Sequence, residues 1–140
     1  MSDKFFIDSN ILVYAHDTEN LEKQQQAQTV IFEGIRFENA VLSTQVLSEF
    51  YVSVTKKIKN PLPILKAMEE IKYLLILEIV EIDISMILHA INLQNKWNIS
   101  YWDGLILCAA EQARCKTVLS EDFNDQQTYG HIIVKNPFRK

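Results

Sequence analysis

The sequence predicts a three-layer α/β domain, with a mainly parallel central sheet of four or five strands between two layers of helices. Two observations predict this class. Short apolar segments rich in β-branched residues alternate with longer segments of helical periodicity, and the connections between strands are long enough to hold crossover helices. The 140 residues suit one compact domain, which we expect to span residues 1–140. A hydrophobic fraction of 48%, with only three glycines and three prolines, is typical of a chain that builds a full core.

Five short segments are predicted as strands, at residues 4–7, 39–43, 79–82, 117–119 and 131–134. β-Branched and aromatic residues are frequent in them, which favours extended backbone. In parallel sheets of this kind, functional sites form outside the carboxyl ends of the strands, where the strand order reverses. That edge is therefore where we expect the functional residues.

Helices are predicted between these strands, over residues 11–15, 21 to about 37, 44–58, and from 84 onward. Apolar residues recur along one face in the longer of these segments. Pro61 and Pro63 end one helix and begin another, because proline suits a first turn but not an interior. The helix opened by Ser100 is apolar nearly all round, so we expect it to be buried in the middle of the molecule.

The charge balance narrows the possible functions. Fourteen basic and 18 acidic side chains give a net charge of −4, which suits a metal-binding site and argues against broad, charge-driven wrapping of nucleic acid. The apolar runs are too short to span a bilayer and no secretory signal is apparent, so we expect a cytoplasmic protein that does not associate with membranes. Cys108 and Cys115 lack metal-site spacing, and we expect both to be reduced and structural.

Four carboxylates lie where chemistry is expected: Asp8, Glu49, Asp103 and Asp122. Asp8 ends the first strand, Asp122 follows the fourth by a short turn, and Asp103 begins the buried helix. Clustered carboxylates repel one another and raise one another's pKa, so a cluster destabilises the folded state unless cations occupy it. Mg²⁺ prefers oxygen ligands and keeps several waters, and such an ion can activate water and stabilise charge at a phosphodiester.

Each of these acids also has an ordinary structural explanation. Asp8 precedes an apolar run and suits a helix cap, and Asp103 stands three residues after Ser100 in a pattern like a capping box. A helical wheel places Glu49 with Gln45, Ser53 and Lys56, opposite the apolar face, so spacing alone favours a solvated side chain. Asp122 and Asp125 also suit ordinary loop charges. Only the joint placement of the four acids favours a site.

Four motifs in order resemble those of PIN domains, and more narrowly the VapC-type toxins of type II toxin–antitoxin pairs. They are Phe5-Phe6-Ile7-Asp8-Ser9-Asn10-Ile11-Leu12, Leu47-Ser48-Glu49-Phe50, Tyr101-Trp102-Asp103-Gly104-Leu105-Ile106 and Leu119-Ser120-Glu121-Asp122-Phe123. The resemblance extends from about Phe5 to Phe138, nearly the whole chain. Any one motif is weak, whereas four in the same order and spacing are fairly specific.

The resemblance implies a Mg²⁺- or Mn²⁺-dependent endoribonuclease. Asp8, Asp103 and Asp122 would hold metal directly or through water, and Glu49 would ligate it or orient the attacking water. Four further residues match supporting positions of the family: Ser9, Asn10, Ser120 and, as a further carboxylate, Asp125. Gly104 replaces a commoner alanine. The resemblance also implies an RNA substrate, a homodimer, and a cognate antitoxin that inserts an arginine or a similar group near the acids.

Two other functions remain open at this point. An aspartate-based phosphatase or phosphoacceptor domain shares the scaffold, although Asp8-Ser9-Asn10 lacks the second aspartate of the usual phosphatase motif. A non-catalytic PIN-like binding module would use its acids only to recognise a partner. The neighbouring aromatic residues Tyr101 and Trp102 could stack on an RNA base. Their position at the start of a buried helix favours a packing role instead.

Overall fold

The computed structural model describes residues 3–139 and shows a mixed α/β fold. The strands and helices of this part of the chain alternate in the predicted manner. In chain order they are β1 (Phe5–Ile7), α1 (Ser9–Tyr14), α2 (Leu21–Arg36), β2 (Ala40–Ser43), α3 (Thr44–Lys56), α4 (Ile64–Leu74), β3 (Glu78–Val80), α5 (Ile84–Trp97), α6 (Tyr101–Gln112), β4 (Thr117–Leu119), β5 (Thr128–Tyr129) and β6 (Ile132–Lys135).

The sheet has the strand order β3-β2-β1-β4-β6-β5, and all neighbouring pairs are parallel except β5 with β6. From β1 the chain steps outward to β2 and β3, then crosses back to β4 on the other side of β1. Right-handed crossovers therefore place α1–α4 on one face and α5–α6 on the other. The helices pack in these two groups, α1 with α2 and α3, α3 with α4, and α5 with α6. The predicted layers and mainly parallel sheet are confirmed.

Polar side chains begin most of the helices. Each accepts a hydrogen bond from a backbone N–H of the first turn, which satisfies a donor that has no partner within the helix. These capping residues are Asp8 for α1, Asn20 for α2, Ser43 for α3, Asp83 for α5 and Ser100 for α6. α4 begins after Pro63, as the two prolines predicted.

The core lies on both faces of the central strands. β2 is buried along its whole length, and the side chains of Phe6 and Phe50 are almost completely excluded from solvent. Residues 104–110 of α6 are all buried, and α6 contacts β2, β4 and β6. The prediction that this helix lies in the middle of the molecule is confirmed.

Two predictions about the strands need correction. The sheet has six strands rather than four or five, because Thr128–Tyr129 forms a short antiparallel hairpin with β6 through a turn at Gly130 and His131. Gly130 has φ +66°, which favours glycine. β3 ends at Val80 rather than at residue 82, because the N–H of Ile82 donates to Thr44 Oγ1 instead of joining the sheet.

The remaining sequence predictions concern thiols and membranes. Cys108 and Cys115 are free and buried, and burial raises the pKa of the first thiol to about 11 and that of the second to about 12. Both are therefore protonated, unreactive groups at neutral pH. Among residues 3–139, no helix combines the length and the apolar character needed to cross a bilayer.

Gly104 lets α6 approach α5 closely. A Cβ atom at this position would lie 2.7 Å from the carbonyl oxygen of Ala90, which belongs to the α5 backbone. Alanine would gain about 1 kcal/mol of helix propensity, but forcing the helices apart costs about 1–3 kcal/mol. We expect the steric cost to dominate because a backbone oxygen cannot rotate away. Gly104→Ala should lower the free energy of unfolding in urea titrations, and a stabilised variant would contradict this packing argument.

Candidate active site

The candidate site lies where the carboxyl ends of β1 and β4 meet, at the reversal of strand order. These strands pair in register, with Ile7 opposite Leu119, and the backbone N–H of Asp8 donates to the Leu119 carbonyl at 3.0 Å. Asp8, the residue that follows β1, therefore lies beside Ser120, the residue that follows β4. This is the edge of the sheet at which the rule for open α/β sheets predicts a site.

Asp8 serves as a helix cap and as a site residue at once. Its side chain is only 5% exposed, and one carboxylate oxygen accepts from the Ser9 N–H at 2.7 Å, which caps α1. The other oxygen accepts from Ser120 Oγ at 2.6 Å and from Asn10 Nδ2 at 3.4 Å. The predicted helix cap is confirmed for one oxygen, and the other oxygen belongs to a hydrogen-bonded group at the strand edge.

The surroundings of Asp8 favour its protonated form. Burial raises the pKa of Asp8 to about 7, hydrogen bonds from Ser120 and Ser9 oppose the shift, and the charges of Asp122 and Glu49 add to it. A buried carboxylate among like charges keeps its proton unless a cation is close. Without a cation beside it, Asp8 is therefore partly protonated near neutral pH.

Glu49 lies on α3 and turns toward α1 rather than toward bulk water. Its side chain is half-buried, one oxygen accepts from Ser9 Oγ at 3.0 Å, and the other accepts from Gln45 Nε2 at 3.3 Å. The helical wheel had favoured a solvated face for these residues, and that interpretation is wrong for Glu49 and Gln45. The face opposite the apolar stripe contains the site, because α1 and the start of α6 cover this part of α3.

Asp103 and Asp122 complete the group from α6 and from the loop after β4. Burial raises the pKa of the half-buried Asp103 side chain, a hydrogen bond with Ser100 opposes this, and the charges of Asp122 and Glu49 raise it further. Asp122 is exposed, and its backbone N–H donates to Ser120 Oγ at 3.1 Å. The charges of Asp122 and Glu49 therefore act on both Asp8 and Asp103, so the four acids influence one another's ionisation.

The small polar residues of the motifs connect these acids. Ser120 Oγ donates to Asp8 and accepts from the backbone of Asp122, so one hydroxyl links two of the carboxylate positions. Asn10 donates to Ser120 Oγ and accepts from the N–H of Glu121, both at distances of 3.3–3.4 Å. Ser9 thus hydrogen-bonds to Glu49, and both Asn10 and Ser120 hydrogen-bond to Asp8.

Asp125 lies apart from this group. One of its oxygens accepts from the backbone N–H of Asn136 at 2.8 Å, so the side chain shapes the turn that precedes β5. Its charge is not among those that raise the pKa of Asp8 or Asp103. The structure brings together Asp8, Glu49, Asp103 and Asp122, and gives Asp125 a loop contact instead.

Gln45 is a site residue that sequence reasoning placed among solvated side chains. It is 9% exposed, and its Nε2 donates both to Glu49 and to the Trp102 carbonyl at 3.2 Å. One amide thereby ties α3 to the first turn of α6, next to Asp103. Its spacing of four residues before Glu49 was the available signal, since residues i and i+4 meet on a helix.

A second group that sequence reasoning missed holds the loop of Asp122 in place. Tyr14 donates to Glu121 Oε1 at 2.7 Å, Lys23 pairs with Glu121 Oε2, and the Lys23 ammonium lies 4.7 Å from the centre of the Tyr14 ring. Glu121 is thus fixed to α1 and α2 at once. No sequence signal pointed to this contact, because its members are about 100 residues apart along the chain.

The donor set fits a hard divalent cation that keeps part of its water. Within residues 3–139, no three His, Cys, Asp or Glu side chains are close enough together to hold an ion unaided. The four acids offer only oxygen ligands, and Mg²⁺ is commonly held by one or two carboxylates with water completing its coordination. Direct ligation by one or two of these acids, with the others acting through water, agrees with this geometry.

The raised pKa of Asp8 predicts a specific pH dependence in protein freed of metal. Asp8 ionises near pH 3.8 in the unfolded chain and near 7 in the folded one, so the folded state holds the extra proton between these values. The extra proton on Asp8 makes its full contribution to the free energy of unfolding below about pH 4. This contribution falls by at most about 1.4 kcal/mol per pH unit and is lost as the pH rises through 7. In chelator, Asp8→Asn should be more stable than the wild type at pH 8, and the difference should shrink toward pH 5.

Urea unfolding across this pH range measures the effect, with Asp125→Asn as the control outside the cluster. Parallel stability curves for the wild type and Asp8→Asn would contradict the buried, proton-holding carboxyl.

Comparison with known proteins identifies the family and the fold. The family model described as the PIN domain matches residues 5–130. No curated protein matches the chain. A toxin–antitoxin complex from Klebsiella pneumoniae contains a chain with a TM-score of 0.70 and 15% identity, with 98% of this chain and 100% of that chain covered.

Two further solved structures have the same fold. Mycobacterium tuberculosis VapC20, described as a sarcin–ricin loop cleaving toxin, has a TM-score of 0.65 and 10% identity, covering 86% of this chain and 92% of its own. DNA-bound VapBC from Salmonella typhimurium has a TM-score of 0.68 and 13% identity, covering 97% and 99%. Since the family model spans most of the sequence, this chain belongs to the PIN domain family.

Proposed function

We propose that this chain is a Mg²⁺- or Mn²⁺-dependent endoribonuclease and the toxin of a type II toxin–antitoxin pair. The observation that carries the proposal is the convergence of Asp8, Glu49, Asp103 and Asp122, whose charges act on one another at the strand edge. Membership of the PIN family and similarity to structures described as toxins support it. The oxygen ligands that the four carboxylates offer also favour metal-assisted hydrolysis over a module that merely binds.

The proposed roles follow from how each acid is held. Asp8, Asp103 and Asp122 hold the cation, directly or through water, while Glu49 ligates it or orients the attacking water. When bound, a divalent cation lowers the pKa of water and stabilises the charge that develops on the phosphodiester and on the leaving 3′ oxygen. The hydroxyls of Ser9 and Ser120 position Glu49 and Asp8, so the chain contributes preorganised geometry and no covalent intermediate.

The proposed partners follow from charge and exposed surface. The uncompensated carboxylates suit an arginine from a cognate antitoxin, which would satisfy them in place of metal. Similarity to a toxin–antitoxin complex and to VapBC supports such a partner. Exposed apolar side chains on α4 and α5, among them Leu65 and Ile84, support a homodimer. We place the protein in the cytoplasm, where RNA and an antitoxin are both accessible.

Cleavage of structured RNAs by the purified protein tests the nuclease directly. With Mg²⁺ or Mn²⁺ we expect cleavage that a chelator abolishes, and a loss of at least about 100-fold in rate for Asp8→Asn and Asp103→Asn, because the cation is no longer held against the developing charge. Glu111→Gln is the matched control, since Glu111 lies on the same helix as Asp103 and pairs with His89. Undiminished cleavage by Asp8→Asn would show that the reaction occurs elsewhere.

Expression in a bacterial host tests the proposed role as a toxin. We expect the wild-type chain and Glu111→Gln to arrest growth, and Asp103→Asn to relieve the arrest, because only the last change removes a metal-site carboxylate. Growth curves after induction, with protein levels matched by immunoblot, provide the measurement. Equal arrest by all three chains would separate toxicity from this site.

A further inference from the structure

A cavity of about 820 Å³ opens between α3 and the first turn of α6, and Glu49 is the member of the four acids that lines it. Ser9 and Glu49 belong to its wall, so it is continuous with the candidate active site. We propose that this cavity, the α3–α6 groove, binds an unpaired nucleobase and a neighbouring phosphate of single-stranded RNA. This proposal rests on the proposed function. It specifies which part of the RNA substrate is bound next to the scissile phosphodiester.

Trp102 provides the stacking surface. Its side chain is 60% exposed although it begins a buried helix, so the expectation that it covers that helix does not explain it. The indole ring lies edge-on to Tyr101, with centroids 5.0 Å apart and planes at 71°, and Gln45 holds its backbone carbonyl. An exposed aromatic ring directly before Asp103 is the kind of group on which single-stranded bases stack.

The walls of the groove offer both apolar contact and hydrogen bonds. Ile82 and Leu105 contribute apolar surface, while Ser48 and Ser53 contribute hydroxyls that can donate to or accept from a base edge. The volume lies in the range of cavities that hold small ligands, which exceeds what one base requires. This combination suits a flat, polar-edged ring better than a purely apolar side chain.

Lys57 supplies the positive charge that an RNA backbone requires. It lines the groove at the C-terminal end of α3 and, within residues 3–139, forms no ion pair. Eight residues separate it from Glu49, or roughly 12 Å along the helix at about 1.5 Å per residue. The lysine is thus too distant to neutralise the acids and suitably placed to contact a phosphate beyond the stacked base.

Charge also favours RNA over a second copy of this chain as the occupant. A stacked base is neutral, so it can lie beside the carboxylates without the repulsion that a phosphate would meet there. Lys57, which forms no ion pair within residues 3–139, can pair with a phosphate but not with the apolar side chains that α4 and α5 expose. In the proposed orientation of the RNA, the stacked base lies near the acids and its neighbouring phosphate lies near Lys57.

Tryptophan fluorescence tests the groove independently of cleavage. The chain has two tryptophans, so Trp97→Phe leaves Trp102 as the sole reporter. We expect single-stranded oligo(A), oligo(C) or oligo(U) to quench its emission in chelator, where no cleavage occurs. Unchanged emission with all three RNAs, at concentrations that saturate binding measured by anisotropy, would overturn the proposal.

Substitutions then measure the contribution of each group to RNA affinity. Trp102→Ala should raise the Kd by about 5-fold to 100-fold, Trp102→Phe should restore most of the affinity, and Tyr73→Ala, an exposed aromatic on α4, is the control. Lys57→Gln should lower the salt slope of log Kd by about 0.7–1, and Lys56→Gln, its neighbour outside the groove, by less. Wild-type affinity in Trp102→Ala would refute the proposed stacking.

The possible outcomes distinguish a failure of the groove proposal from a failure of the proposed nuclease function. Cleavage with an unchanged KM in Trp102→Ala would retain the nuclease and overturn the groove. Trp102-dependent RNA binding without any cleavage by the wild type would retain the groove and overturn the nuclease. If Trp102→Ala instead converts a dimer to a monomer in light scattering, the groove is a contact between chains and the proposal fails.

Discussion

The hydrogen bond between Ser120 and Asp8 is the contact on which the site depends. It joins the residues that follow β1 and β4, which lie side by side because Ile7 pairs with Leu119. The same aspartate caps α1, so its position is constrained from two directions. This arrangement buries a carboxyl group whose proton is hard to remove without a cation. The energetic cost of that burial and the affinity for a positive group have the same origin.

Each of the four acids belongs to a different part of the fold. Hydrogen bonds between these parts stabilise their relative positions. Gln45 connects α3 with α6, and Glu121 connects the loop of Asp122 with α1 and α2 through Tyr14 and Lys23. Rigid elements supply the acids, and buried polar contacts set the spacing between them. A change in any one of these links is therefore expected to alter the geometry of the whole site rather than of one residue.

Much of the fold could be predicted because its signals are local. Capping residues, helical periodicity and short β-branched runs marked the elements, whereas the two-residue β5 was missed because its only strong signal is the turn at Gly130. The site was partly predictable, since strand ends indicate where acids meet. Glu49 and Gln45 were misjudged by the helical wheel, which cannot show that another helix covers a polar face. The contact of Lys23 with Glu121 depends on residues far apart in sequence, for which no local pattern exists.

The central claim is that these four acids hold a divalent cation. Anomalous diffraction from crystals soaked in Mn²⁺ tests it most directly. The account predicts one manganese peak in contact with Asp8, with Asp103, Asp122 and Glu49 either ligating the ion or reaching it through one water molecule. A manganese peak bound elsewhere, or none among these side chains at a concentration that supports RNA cleavage, would contradict it.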